Sequence, residues 1–349
     1  MSNRPFYIET EEEKRFKKRR PPTLPVGWQI LSLLIILGGI FYGLLNSEIR
    51  AVFFGDKSDT AITTPPPEIS NMDFAPAIVQ NLAEVSILAK SAYVFDTKDQ
   101  RVLYEKNAEK AFPLASITKL MTALLAYELV SDDALVTLSD TALSQENSGD
   151  LRVGETFKIK ELTDFTLVAS YNGAAYALAE RVGQELGGEN STASFVAGMN
   201  IKAKELNLKS LEFLNPTGLD VSETKAGATG SAKDVSLLME YIIENFPEIL
   251  EPTIFDNSEV RNTNGQLHRA KNTNNLVGRI PNLIGSKTGF TDLAGGNLTI
   301  AMNIGLDRVI IITVLGSSPT DRFSDMAKLV NLVQTAYGEN IERAEEVTL

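Results

Sequence analysis

Three short groups of residues in this chain could carry chemistry. The first is Ser116 with Lys119, three positions apart in PLASITKLMTALLAYE (113–128). Residues at that spacing share a helix face. A serine hydroxyl is a weak nucleophile until something takes its proton. A lysine can take it when burial and a neighbouring cation depress its pKa. A serine at a helix start also lies near backbone N–H groups that can stabilise an oxyanion. The same residues equally describe an ordinary helix N-cap. The second group is Ser170-Tyr171-Asn172, whose hydroxyl could relay a proton and whose amide could hold a substrate carbonyl. By itself the tripeptide also reads as a helix–helix turn. The third is Lys287-Thr288-Gly289, within IGSKTGFTDLAGGNL (284–298). A charge and a hydroxyl there can bind a carboxylate, and the glycine lets an extended peptide come close; a surface turn is the plainer alternative. A phosphate loop is excluded, because Ser286 stands where that pattern needs glycine. A second Ser-x-x-Lys, Ser222 to Lys225, lies in a Gly-rich polar stretch without a helical face and is set aside.

These residues need elements to position them. Ile117, Leu120, Met121, Leu124 and Leu125 repeat at three and four, which predicts a helix directly after Ser116. Further helices are expected over 160–169, 173–183, 194–206, 232–246 and 321–337. AYVFD (92–96) and RVLYE (101–105) flank a four-residue turn and predict a hairpin. NLTIAMNI (297–304) and RVIIITVL (308–315) predict neighbouring central strands. Strands at both ends with helices between them indicate an α+β layered fold in which the two ends form one sheet. There is no internal repeat at a 20–50 residue period.

Together, and in this order, Ser-x-x-Lys, Ser-x-Asn and Lys-Thr-Gly mark the penicillin-recognising serine hydrolases. Residues 84–130, SLEFLNPTGLD (210–220) and 285–325 sharpen the match. Over about residues 80–338 the chain resembles the D-alanyl-D-alanine carboxypeptidases, the low-molecular-mass penicillin-binding proteins. The resemblance implies a β-lactamase/transpeptidase-like fold, an antiparallel sheet with a helical subdomain, and no cofactor or metal. It implies that Ser116 attacks the carbonyl between the two terminal D-alanines of a peptidoglycan stem peptide, with Lys119 as general base. Ser170 would pass a proton to the leaving D-alanine, and Asn172 would orient the substrate amide. Lys287 would help keep Lys119 neutral and attract the terminal carboxylate, which Thr288 would bind, with Arg322 assisting. The close approach would be at Gly289, and the N–H groups of Ser116 and Phe290 would form the oxyanion hole. Penicillins would acylate Ser116 as substrate mimics.

The sequence departs from the family pattern where Tyr171 replaces the usual glycine of the second motif. Only 62 residues follow Lys287, so the family's C-terminal β domain is expected to be missing. The tail NIERAEEVTL is too acidic for an amphipathic anchor. Class A β-lactamases carry Glu-x-x-Leu-Asn, but Ala203 stands four before Asn207. The nearest rival within the family is an endopeptidase that cuts cross-links. A catalytically dead wall-binding protein is disfavoured, because every reactive position is occupied.

Composition agrees. Among 349 residues there are no cysteines and one histidine, which removes thiolate nucleophiles, disulfides and Cys/His zinc sites. No Gly-x-Ser-x-Gly exists, and His268, in the polar run QLHRAKNTN, is expected to be a solvated loop or hairpin residue rather than part of a triad. The net charge of -12 argues against nucleic acid as a partner. Within residues 1–25 seven basic side chains outnumber four acidic ones, leaving +3 there and -15 elsewhere. Residues 26–45 run twenty positions without a charge, with Trp28 and Tyr42 near the ends. Such a stretch spans a hydrocarbon core of about 30 Å, and the basic side faces the cytoplasm. A cleaved secretory signal fits less well, because its apolar region is usually shorter. The expected organisation is a cytoplasmic head (1–25), a transmembrane signal-anchor (26–45), an extracytoplasmic linker (46–76), a serine peptidase domain (77–340) and a tail (341–349).

Overall fold

Apolar runs from opposite ends of the domain pair with one another. In a computed structural model, which describes residues 85–187, 190–305 and 307–346, they build a five-stranded antiparallel sheet. The head, the apolar stretch 26–45 and the linker lie outside the described residues. Among the described residues no helix is long and apolar enough to cross a membrane.

The sheet combines β1 (Ser91–Asp96) and β2 (Arg101–Lys106) with three later strands. These are β10 (Leu283–Thr291), β11 (Gly295–Asn303) and β12 (Val309–Ser317). Their order is β10-β11-β12-β1-β2, so β1 pairs with β12 and the two ends of the domain meet within the sheet. β10 is an edge strand, and it carries Lys287-Thr288-Gly289. β11 and β12 are buried except at strand ends because both faces of the sheet are covered. Ile300, Met302, Ile310, Ile312 and Val314 meet Met326, Leu329, Val330 and Val333 of the C-terminal helix. Each such fully buried side chain stabilises the fold by about 1.5–3 kcal/mol. Ala301, Ile311 and Leu315 point to the other face, toward the helical body.

That body contains α1 (Lys119–Leu129), α2 (Asp140–Leu143), α3 (Ile159–Val168), α4 (Asn172–Glu185), α5 (Ser191–Glu205) and α6 (Ala232–Asn245). The C-terminal helix, α7, covers Asp321–Glu346 and so runs beyond the expected 321–337. The short strands are β3 (Phe112–Pro113), β4 (Leu135–Thr137), β5 (Thr156–Lys158), β6 (Glu212–Phe213), β7 (Ala228–Gly230), β8 (Asn257–Arg261) and β9 (Leu267–Lys271). α1 is almost wholly buried, which suits its composition of Leu, Met and Ala with few polar groups.

One expectation fails. His268 lies in the β8–β9 hairpin, but it is completely buried rather than solvated. Its ring packs edge-on against Phe157 and Phe165, and two carboxylates face its nitrogens. Their sequence distance of more than 110 residues hides them from any local reading.

Candidate active site

Ser116 does not sit on a plain α-helical first turn. Ala115–Thr118 form a 3-10 turn, and the α-helix begins at Lys119. Ala115 has φ +48, a conformation that a residue with a Cβ adopts only when its surroundings enforce it. The surroundings do so from two sides. Gly218, at φ +79, brings its bare Cα against the Ala115 carbonyl, where any Cβ would collide. Asn297, buried on β11, donates from Nδ2 to the carbonyls of Pro113 and Leu114 at 2.9 and 3.0 Å and accepts from the Gly316 N–H. The segment leading into Ser116 is therefore fastened to the central sheet.

Lys119 is fully buried at the base of this turn. Its Nζ lies 2.8 Å from Ser116 Oγ, 2.6 Å from Asn172 Oδ1 and 2.8 Å from the Thr217 carbonyl; a neutral amine donates to the last two and accepts from the Ser116 hydroxyl. Burial, and secondarily the charge of Lys287, pushes its pKa well below the ordinary lysine range. A neutral amine so placed has a lone pair for the Ser116 proton. Thr217 enters through its backbone, so residue-type patterns do not show its part; Asn215 Oδ1 shapes the turn by accepting from the Thr217 and Gly218 N–H groups.

Ser170-Tyr171-Asn172 is indeed the turn between α3 and α4, and it also faces the site. Ser170 has φ +61, a second strained position after Ala115. Its hydroxyl accepts from Lys287 Nζ at 2.9 Å. Asn172 Nδ2 donates to the Glu146 carbonyl at 2.7 Å, which fixes the amide so that Oδ1 faces Lys119.

The third group lies on β10, beside the serine turn. Gly289 makes that proximity possible: a Cβ there would stand 2.7 Å from the Leu114 carbonyl and 3.2 Å from the Ser116 N–H nitrogen. Lys287 is buried, and burial together with the Arg322 guanidinium lowers its pKa to about 7. Thr288 is buried and shares a hydroxyl contact of 2.6 Å with Thr273, a residue that no motif had marked. Arg322, in the first turn of α7, donates from Nη1 to the Gly289 carbonyl at 2.7 Å. Phe290 follows on the strand with its ring half exposed. All three groups thus converge, whereas Ser222 and Lys225 close an exposed turn elsewhere.

The chemistry of this cluster is that of an activated serine. Residues 78–318 match the family model described as D-alanyl-D-alanine carboxypeptidase. The chain belongs to that family. Among relatives, this member of the carboxypeptidase family is 31% identical to D-alanyl-D-alanine carboxypeptidase DacF of Bacillus subtilis, over 76% of this chain and 67% of that protein. It is 29% identical to the D-alanyl-D-alanine endopeptidase of Pseudomonas aeruginosa, over 82% of this chain and 88% of that one. Among solved structures, penicillin-binding protein D2 of Listeria monocytogenes in its ampicillin-bound form gives a TM-score of 0.60 at 32% identity, over 71% of this chain and 98% of that one. A mutant of the Streptomyces K15 DD-transpeptidase gives 0.64 at 26%, with the same coverage. The carboxypeptidase family's fold and the expected α+β sheet architecture therefore agree.

Proposed function

We propose that this protein is a serine-type D-alanyl-D-alanine carboxypeptidase that removes the terminal D-alanine of peptidoglycan stem peptides through an acyl-enzyme on Ser116 and is inhibited by penicillins. The observation that carries this reading is the buried Lys119 amine 2.8 Å from the Ser116 hydroxyl. Neutral Lys119 takes the Oγ proton while Oγ forms a bond to the carbonyl carbon. The carbonyl electrons move onto oxygen, between the N–H groups of Ser116 and Phe290. The tetrahedral centre then collapses, its C–N bond breaks, and the departing amine receives a proton through Ser170. Asn172 holds the substrate amide on the other side. Water adds to the ester, Lys119 takes its proton, and Ser116 leaves as the alcohol. Lys287, Thr288 and Arg322 supply charge and a hydroxyl to the terminal carboxylate.

The length match to the Pseudomonas endopeptidase favours one further reading, cleavage of cross-linked stem peptides by the same site. Incubating the full-length protein with a purified pentapeptide stem and with cross-linked dimers, followed by mass spectrometry, distinguishes them. Loss of one alanine from the pentapeptide supports carboxypeptidase action, and cleaved dimers support endopeptidase action. Neither product would contradict both.

We place the protein on the cell membrane with residues 1–25 inside and the peptidase domain outside. The support is the uncharged run 26–45 behind seven basic side chains. Retention in the membrane fraction after alkaline carbonate extraction is the expected result.

A further inference from the structure

We propose that His268 is a positioning residue for the Ser170 and Asn172 side chains, although it touches neither. The inference rests on the site reading above and adds a residue that none of the three motifs contains.

The link is the loop over residues 145–155. Its first part holds the second motif directly. The carbonyl of Glu146 accepts from Asn172 Nδ2, and the carbonyl of Asn147 accepts from the Asn172 N–H at 3.0 Å. Asn147 Nδ2 donates to the Ser170 carbonyl at 3.3 Å. Gly149, at φ +67, lies flat against the Tyr171 ring, where any Cβ would collide. The loop therefore grips all three residues of Ser170-Tyr171-Asn172.

The second part of the loop is anchored on His268. Asp150 Oδ2 lies 3.2 Å from Nδ1, and Glu155 Oε1 lies 3.0 Å from Nε2. A carboxylate only accepts, so both contacts are hydrogen bonds when both ring nitrogens carry hydrogen. Glu155 Oε1 also accepts from Asn262 at 3.1 Å, and its Oε2 accepts from the Arg152 N–H at 2.9 Å. The ring cannot swing, because Phe157 and Phe165 pack against it. Leu151 adds an apolar anchor in the core. The sole histidine is thus a rivet between the β8–β9 hairpin and the loop that sets the Asn172 amide against Lys119. A small displacement of a reacting group costs a large factor in rate.

The test measures the second-order rate of acylation by a fluorescent penicillin, using full-length protein and counting only molecules that finally label. His268→Gln is compared with wild type, and again in an Asn172→Ala background. We expect His268→Gln to slow acylation about tenfold in the wild-type background and by less than about twofold when Asn172 is already gone. A merely structural role would lower the labelled fraction and leave the rate per labelled molecule alone. An unchanged rate, or the same slowing in both backgrounds, would overturn the proposal. If His268→Gln yields no protein that labels, Asp150→Asn takes its place, since that side chain is 62% exposed. A slowing that depends on Asn172 then supports the proposal, and a wild-type rate overturns it. Failure of the wild type itself to label would instead sink the site reading, and this inference with it.

Discussion

Lys119 Nζ and Asn172 Oδ1 lie 2.6 Å apart although 53 residues separate them in sequence. The contact joins the first two motifs into one device. The same nitrogen reaches Ser116 Oγ, so the lysine's position is set by three hydrogen-bond partners before any substrate arrives. Replacing Lys119 by Ala should slow penicillin acylation by at least about 100-fold, the contribution of a positioned base. Rapid-quench labelling checks the rate, and circular dichroism checks that the fold persists. Acylation at the wild-type rate would contradict the assignment.

The two lysines give the pH profile a direction. In the proposed mechanism Lys119 acts when neutral, so kcat/KM should rise with pH through its depressed pKa. In the same proposed mechanism Lys287 attracts the carboxylate when protonated, so peptide recognition should weaken as pH rises past about 7. Arg322 is a neighbouring cation that disfavours the charged form of Lys287. Arg322→Ala should therefore move the falling limb of kcat/KM to higher pH. A limb that stays in place or moves down would show that Arg322 does not tune Lys287.

Gly289→Ala should damage catalysis more than stability. The added Cβ meets the Leu114 carbonyl at 2.7 Å, so the serine turn must shift from the strand. Disturbing an oxyanion donor costs about 100-fold in kcat. Turnover of a D-Ala-D-Ala peptide, set beside a thermal melt, would reveal the imbalance. Full turnover would mean that the strand and turn need not touch this closely.

Asp325 offers the opposite pattern. It is buried and accepts from the N–H groups of Leu88 and Ala89 and from Ser317 Oγ. Asp325→Ala leaves those donors without their acceptor, a loss of about 1–3 kcal/mol for each buried donor left unsatisfied. Urea unfolding should show that loss, while the acylation rate of the remaining folded protein stays unchanged.

Much of this architecture was legible because local patterns and global packing agree. The hairpin 92–96 and 101–105 appears as β1 and β2, and the runs at 297–304 and 308–315 appear as β11 and β12. Helices expected at 160–169 and 232–246 appear within about two residues of those limits. The strand carrying Lys287 was not legible. LIGSKTGFT lacks apolar alternation, because an edge strand that faces a reactive serine needs small and polar residues there. The carbonyls of Glu146, Asn147 and Thr217 were hidden for another reason: backbone groups leave no mark on residue identity. The burial of His268 is hidden because its polar neighbours in sequence are not its neighbours in space.

The central claim is that Ser116 is the nucleophile. Incubating the full-length protein with benzylpenicillin, then mapping the adduct by peptide mass spectrometry, tests it most directly. One penicilloyl group on Ser116, absent from Ser116→Ala, is the predicted result. No adduct on the wild type, or an adduct that persists in Ser116→Ala, would contradict it.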